Sequence, residues 1–416
     1  MRDKDKAWSF LFDELSIIDN INEHGFFNIT SKKIKDLTGQ EPRIICKQDS
    51  TKQIPKILRE NSINLLAVKN GEYLLFRDPG YKGYINLDYK DISPKYLNYQ
   101  ENKFKTLRID ELTTEKKAFK FAAINGLLES SFNEKLFESV SDRFYCSPFI
   151  LNLGDNKFNV KSVQIEIDAL YEGNDDIFIF ELKNTTSDDF NIRQLYYPYQ
   201  HFISKLDETP KTTLIQFSNG IYYLTKIQFS ENYYNYEIIS TEAFVFDNYR
   251  SNNFNLKPLL NQKLSNFPTP QADDLNKIFD LLNLIKFKNT VSKEDITDFF
   301  GFDKRQTDYY LNAAKYLNLV AENNSHVILL GVGSKISNTE SFSERNMLLL
   351  AEILKIKLFN KIYIKYISSN KIFDDNYIVS TIMKLDNRIK SLVTAKRRMS
   401  TIKSWIRWID RVMNSS

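Results

Sequence analysis

Two short runs decide how this chain is read: Val163-Gln164-Ile165-Glu166-Ile167-Asp168 and Ile177-Phe178-Ile179-Phe180-Glu181-Leu182-Lys183. In the first, Val163, Ile165 and Ile167 alternate with Gln164, Glu166 and Asp168, the period-two pattern of a strand with one buried face. The second is too apolar to be a solvated edge and reads as a buried strand. Glu172-Gly173-Asn174-Asp175-Asp176, between them, has the composition of a turn, so the two strands are expected to pair. Side chains two positions apart share a face, which groups Glu166 with Asp168 and Glu181 with Lys183. A helix expected from about Asp189 to Leu206 and a strand near Thr213 to Phe217 complete a strand, strand, helix, strand series, an α/β core.

Paired in this way, Asp168, Glu181 and Lys183 converge on one patch. Two carboxylates suit Mg²⁺, a hard cation that takes oxygen ligands and keeps several waters. The ion would acidify a water and neutralise charge on a scissile phosphate. Lys183 would orient the nucleophile or stabilise the pentacovalent phosphate. The competing reading is an exposed, salt-bridged strand face, since an Asp followed at a distance by Glu-x-Lys is common by chance. Against it stand the strand patterns, the apolar second strand, and the following helix with Arg193, Gln194, Tyr196, Tyr197 and Tyr199.

The first run, with Tyr171-Glu172 and Phe180-Glu181-Leu182-Lys183-Asn184 after it, resembles the catalytic core of the PD-(D/E)XK nucleases. Phe190-Asn191-Ile192-Arg193-Gln194-Leu195-Tyr196-Tyr197-Pro198-Tyr199 resembles a signature of one group of bacterial type II restriction endonucleases. The segment Asp49 to Phe76, with Pro55, Leu58, Asn61 and Gly71-Glu72-Tyr73, is similar to an N-terminal region of the same group. The likeness covers most of the chain. It implies a restriction-endonuclease-like α/β core, a mixed central sheet flanked by helices, with an N-terminal α+β domain and C-terminal winged-helix and helix-turn-helix modules. It also implies a sequence-specific, Mg²⁺-dependent double-strand DNA endonuclease of a restriction–modification system. By this resemblance Asp168 and Glu181 are metal ligands and Lys183 the catalytic lysine. The proline that names the motif is replaced, since Ile167 precedes Asp168.

Other residues keep two readings. Glu166 is an auxiliary ligand or the partner of a neighbouring cation. Gln194 touches the site or a phosphate, as related nucleases carry a glutamine on this helix, or is an ordinary polar position. Glu115 and Glu129 lie on a helix expected over Thr113–Phe132, where many such nucleases place another acid. Glu115 is favoured, although a glutamate at a helix N-terminus also suits the dipole. The three tyrosines are expected to pack, and Asp175 and Asp176 to turn. Two other functions remain open: a repair or structure-specific nuclease on the same core, and a catalytically inactive DNA-binding regulator.

The length of 416 residues allows about two to four domains. Boundaries are expected at 1–112, 113–262, 274–336 and 342–416, with a linker from Asn261 to Asp274 containing Pro268 and Pro270. The first of these is chemically quiet and a possible DNA-recognition region. In the third, helices over Asn276–Ile285, from Ser292 onward and over Asp303–Tyr316 precede a β-like Val327–Leu330, the order of a winged helix. Arg305 and Gln306 open its recognition helix and would meet DNA, the alternative being a protein-docking module.

A net charge of +4 is too small to mark a nucleic-acid binder, but the basic residues gather between Lys384 and Arg411. There Ile402, Trp405, Ile406 and Ile409 form an apolar stripe at helical spacing, so the tryptophans are expected in the core. Lys396, Arg397, Arg398 and Lys403 are left to meet phosphates, or to form a merely solvated face. Two cysteines and three scattered histidines exclude a zinc finger. No signal peptide or membrane span is evident, and a reducing cytoplasm is expected. The partners expected are double-stranded DNA, a second copy of the chain in a homodimer, and, functionally, a cognate DNA methyltransferase. No membrane partner is expected.

Overall fold

The computed structural model describes residues 3–89, 92–100, 104–153, 156–206, 208–230, 235–248 and 263–414. The chain begins with α1 (Asp3–Glu14), α2 (Ile17–His24), β1 (Phe26–Thr30), α3 (Ser31–Thr38), α4 (Pro42–Ile45), α5 (Lys56–Glu60), β2 (Asn64–Lys69) and β3 (Glu72–Phe76). The strands form an antiparallel sheet in the order β1-β3-β2. Gly71, at φ +73°, makes the β2–β3 turn, a conformation that costs glycine little. Trp8, Leu11, Phe12, Ile34, Leu58 and Leu75 form the core beneath, and the buried Trp8 indole donates to the Ile45 carbonyl at 2.9 Å.

Next come β4 (Tyr84–Asn86), β5 (Lys95–Leu97), α6 (Glu115–Ile124), α7 (Leu127–Phe132), β6 (Phe137–Glu138), β7 (Arg143–Tyr145), β8 (Phe149–Leu153) and β9 (Asn156–Val160). They are followed by β10 (Gln164–Glu166), β11 (Ala169–Glu172), β12 (Ile177–Lys183), β13 (Asp189–Asn191), α8 (Arg193–Ile203), β14 (Lys211–Ser218), β15 (Ile221–Phe229) and β16 (Tyr236–Phe246). The central sheet runs β16-β15-β14-β12-β11-β6, with β5 beside Phe244–Phe246 of β16. It is mixed: β11 and β12 are antiparallel, whereas β12 and β14 are parallel, with α8 in the connection between them. β12 is buried on both faces. Ile179 joins the cluster containing Leu195, Tyr196 and Tyr197 of α8, and Phe178 and Phe180 meet the ring of Phe132 on α7 at 4.9 and 5.8 Å. A strand covered on both faces has no polar alternation, which explains the Ile-Phe-Ile-Phe run.

Three expected elements are interrupted. The strand expected over 163–168 is the short β10 alone, which pairs with β7; the chain bends at Ile167–Asp168, and it is β11, beyond the bend, that pairs with β12. The helix over 113–132 breaks at Gly126, whose φ is +85°. The stretch expected as helix from Asp189 starts instead as β13, paired with β4.

The C-terminal part holds α9 (Leu275–Lys288), α10 (Lys293–Phe300), α11 (Lys304–Tyr316), β17 (Val320–Asn323), β18 (His326–Leu329), α12 (Gly331–Asn338), α13 (Phe342–Leu354), α14 (Lys357–Ser368), α15 (Asp375–Leu385) and α16 (Leu392–Asn414). Ser292 and Asp295 form a reciprocal capping box on α10. Gly301 closes that helix at φ +63° and Asp303 caps α11. Asn324 and Ser325 turn the β17–β18 hairpin, and Val291 bridges Val327 beside it. Trp405, Ile406 and Ile409 lie in one apolar cluster with Leu281, Leu311 and Leu350, so the segments expected as separate modules share a core. Among the described residues no helix is long and apolar enough to cross a membrane.

Contacts divide the chain into two compact units: Met1–Ser93 with Leu128–Gln216 and Tyr223–Ala243, and Pro94–Leu127 with Phe217–Tyr222 and Phe244–Ser416. The N-terminal stretch therefore does not stand alone as 1–112. Leu66, Val68 and Phe76 belong to the cluster that holds Leu151, Ile165 and Tyr197, and Tyr197 donates to the Ala67 carbonyl at 2.8 Å. The expected linker is also not free. Residues 261 and 262 lie outside the described residues, but Thr269 gives two hydrogen bonds to Asp386, at 2.7 and 2.9 Å. Trp405 donates to the Ala272 carbonyl at 2.8 Å.

Candidate functional site

Asp168 stands at the bend between β10 and β11. Ala169 pairs with Phe180, and one further step of that register sets Asp168 across from Glu181. The position is held by Asp168 Oδ2, which accepts the Leu182 backbone N–H at 2.9 Å. Glu181 points toward α8, is 5% exposed, and receives two donors on Oε1: Lys183 Nζ at 2.5 Å and Gln194 Nε2 at 2.7 Å. Asp168, Glu181, Lys183 and Gln194 therefore form one constellation. Gln194 Oε1 is buried without a hydrogen-bond partner among the described residues.

Burial pushes the Glu181 carboxyl up to about 8; Lys183 pulls it down, and the Asp168 and Asp49 carboxylates push it up. Asp49 was not singled out as a site residue from sequence. Its loop is clamped to the site's supporting strand: Asn191 of β13 donates from its backbone to the Asp49 carbonyl at 3.0 Å and from Nδ2 to the Gln48 carbonyl at 2.7 Å. Thr51 donates its backbone N–H to Asp189 at 2.9 Å, and Lys52 pairs with Asp188 at 2.6 Å. Gln48 Nε2 is another buried atom without a hydrogen-bond partner among the described residues. The signal that existed was the likeness of the segment beginning at Asp49; nothing local marked the aspartate itself.

The other acids separate from this group. Glu166 is exposed on β10 and pairs across the ladder with Arg143, 3.3 Å away, the cation-partner alternative of its two readings. Its separation follows from the bend, since β10 pairs with β7 outside the central sheet and keeps its side chains there. Glu115 opens α6, after the Thr114 cap, and that helix belongs to the unit that does not contain Asp168. Glu129 lies near Tyr171, whose ring meets Phe180 on the sheet face opposite Glu181. Tyr196, Tyr197 and Tyr199 are buried packing residues.

Among the described residues no three His, Cys, Asp or Glu side chains are grouped to hold a metal ion. The oxygen donors at this site are two carboxylates, which is sufficient for a cation that retains water.

The residues expected to meet DNA lie in the second unit. Arg305 is exposed on the first turn of α11, against Tyr309; Gln306 is half-buried and its backbone N–H is capped by Asp303. Lys396 and Arg397 are exposed, and Arg398 is half-buried. Lys403 is not free for a phosphate: its ammonium sits 2.6 Å from Asp375 and over the Phe373 ring.

Three family models match the chain, each described as a domain of unknown function: DUF6996 over residues 5–75, DUF6997 over 80–245 and DUF7226 over 277–414. The Asp168–Glu181–Lys183 group lies in the second. Comparison with curated proteins and with solved structures returned no match.

Proposed function

We propose that this protein is a Mg²⁺-dependent, sequence-specific double-strand DNA endonuclease with a PD-(D/E)XK centre, acting in a restriction–modification system. The observation that carries the reading is the placement of Asp168 and Glu181 across one strand pair with Lys183 and Gln194 bonded to the same carboxylate oxygen. A salt-bridged surface strand would not bury the acid, nor hold a second carboxylate opposite it.

The donor set fits a divalent cation. Burial drives the Glu181 carboxyl up and the nearby Asp168 carboxylate adds to it, and a cation would offset both. Bound there, it would supply Lewis acidity toward the scissile phosphate and the attacking water. The chain's own residues do the rest. The Leu182 N–H fixes the Asp168 carboxylate, Gln194 fixes that of Glu181, and Lys183 offers a cation to an anionic phosphate oxygen.

The reading takes α9, α10, α11 and the β17–β18 hairpin as a winged helix and α16 as part of a DNA-holding module. A homodimer on a two-fold site would place one centre on each strand, and a cognate methyltransferase would protect the host. The test is digestion of an unmethylated plasmid of known sequence with the purified chain, with Mg²⁺ and with EDTA. Discrete fragments with mappable ends, formed only with the metal, are expected. No cleavage under any divalent cation, or unchanged cleavage by Asp168→Ala, overturns the reading.

A further inference from the structure

We infer that Gln216 is a positioning residue for the cleavage centre: its side-chain amide clamps the connection of residues 184–188, which joins Lys183 on β12 to β13 and the Gln194 end of α8. The inference rests on the reading of Asp168, Glu181 and Lys183 as that centre.

Gln216 lies on β14, across the parallel β12–β14 ladder from Lys183, as Leu214 lies across from Glu181. Side chains two positions apart on a strand share a face, and Leu214 packs in the cluster that holds Leu195 of α8. Gln216 therefore stands on the sheet face of the site, and it is wholly buried. A buried amide needs acceptors for its nitrogen and a donor for its oxygen. Nε2 donates to the Thr185 carbonyl at 3.2 Å and to Ser187 Oγ at 3.0 Å, while Oε1 accepts from the Tyr89 hydroxyl at 2.5 Å.

These bonds run in one direction. Ser187, accepting from Gln216, donates its own proton to the carbonyl of Asp189 at 2.6 Å, the first residue of β13. On the other side the Tyr89 ring stacks on Tyr223, with centroids 4.4 Å apart, and its hydroxyl lies 3.3 Å from Thr225 Oγ1. Burial holds that hydroxyl above its ordinary range, so it keeps the proton it donates. A flipped amide would set its oxygen against the Thr185 carbonyl and its nitrogen against the tyrosine proton, so Tyr89 fixes the orientation. All of these residues lie in the compact unit that contains Asp168 and Glu181.

Lys183 and Gln194 reach the same oxygen, Glu181 Oε1, from the two ends of this connection. Residues 184–188 lie outside any helix or strand. The Leu87 N–H ties the last of them, donating to the Asp188 carbonyl at 2.8 Å, and Gln216 ties the middle. A misplacement of about 1 Å at a reacting centre can cost about 100-fold in rate, so slack in this span would be felt at Lys183 and Gln194 together.

The experiment measures kcat and KM of the full chain on the unmethylated plasmid with Mg²⁺. Gln216→Glu, of the same size, keeps an acceptor for Tyr89 and loses both donors. It should lower kcat by about 10–100-fold, the usual range for groups that orient a ligand set, with KM and far-UV circular dichroism unchanged. A fall in kcat and kcat/KM together marks an arrangement needed in the transition state, which a purely stabilising role would not give in the folded chain. Tyr89→Phe, which frees the amide to flip but leaves its donors, should lower kcat by less. Wild-type kcat in folded Gln216→Glu, or a raised KM with kcat unchanged, overturns the inference. Should Gln216→Glu fail to fold, an unchanged kcat in folded Tyr89→Phe overturns it. No Mg²⁺-dependent cleavage by the parent chain overturns the reading of the site itself, and the inference with it.

Discussion

Gln194 donates from Nε2 to Glu181 Oε1 at 2.7 Å, tying the first turn of α8 to the buried end of β12. The bond matters because the same oxygen also takes Lys183, so the carboxylate is oriented from the helix and from its own strand. Partners that orient a ligand usually carry about 10–100-fold in metal affinity or activity. Gln194→Ala should therefore lower cleavage by about that factor with folding intact. Single-turnover rates and far-UV circular dichroism check it; a wild-type rate would make Gln194 an ordinary helix residue.

Asp168→Ala and Lys183→Ala should each reduce cleavage more severely, by about 10²–10³-fold or beyond, the usual cost of removing one electrostatic group at a reacting centre. Duplex binding in EDTA should persist. Loss of binding together with activity would instead point to a folding role.

Glu166→Gln should be nearly silent. Its partner Arg143 and the glutamate itself are both more than half exposed, and such pairs contribute about 0–1 kcal/mol. Cleavage rate and urea midpoint within error of wild type are expected; a large loss of activity would return Glu166 to the reaction.

Asn191→Ala tests whether the N-terminal loop is part of the site's support. It removes the bond to the Gln48 carbonyl and leaves the Arg193 N–H, now 3.1 Å from Asn191 Oδ1, without that acceptor. Unsatisfied buried groups cost about 1–3 kcal/mol each, so a lower urea midpoint and slower cleavage should appear together. Reduced stability with full activity would separate the loop from the chemistry.

The second unit holds a buried acid with a readable pH signature. Burial pushes Asp280 up to about 7, although the Ser218 hydroxyl, the Asn219 N–H and the Arg345 charge lower it. The folded state therefore binds this proton more tightly than the unfolded state does. Its contribution is complete below the unfolded value of 3.8 and is lost as pH rises through about 7. Urea midpoints of wild type relative to Asp280→Asn should fall between pH 5 and pH 8. Parallel curves across that range would show that Asp280 does not titrate in this way.

Local pattern alone determined a good part of this protein. The apolar run of β12, the common face of Glu181 and Lys183, the Ser292–Asp295 capping box and the tryptophan-bearing stripe of α16 each depend on residues within a turn or a few strand positions. Such features follow from backbone period and nearby hydrogen bonds, whatever lies beyond them. Only the tertiary structure decided the bend at Ile167–Asp168, which gives Asp168 to Glu181 and sends Glu166 to Arg143. It alone brought the Asp49 carboxylate within electrostatic reach of Glu181, and spent Lys403 on Asp375 while leaving Lys396 and Arg397 exposed. A charge shows its type in the sequence, but its availability depends on whether a distant segment supplies a counter-charge, and that is settled by packing.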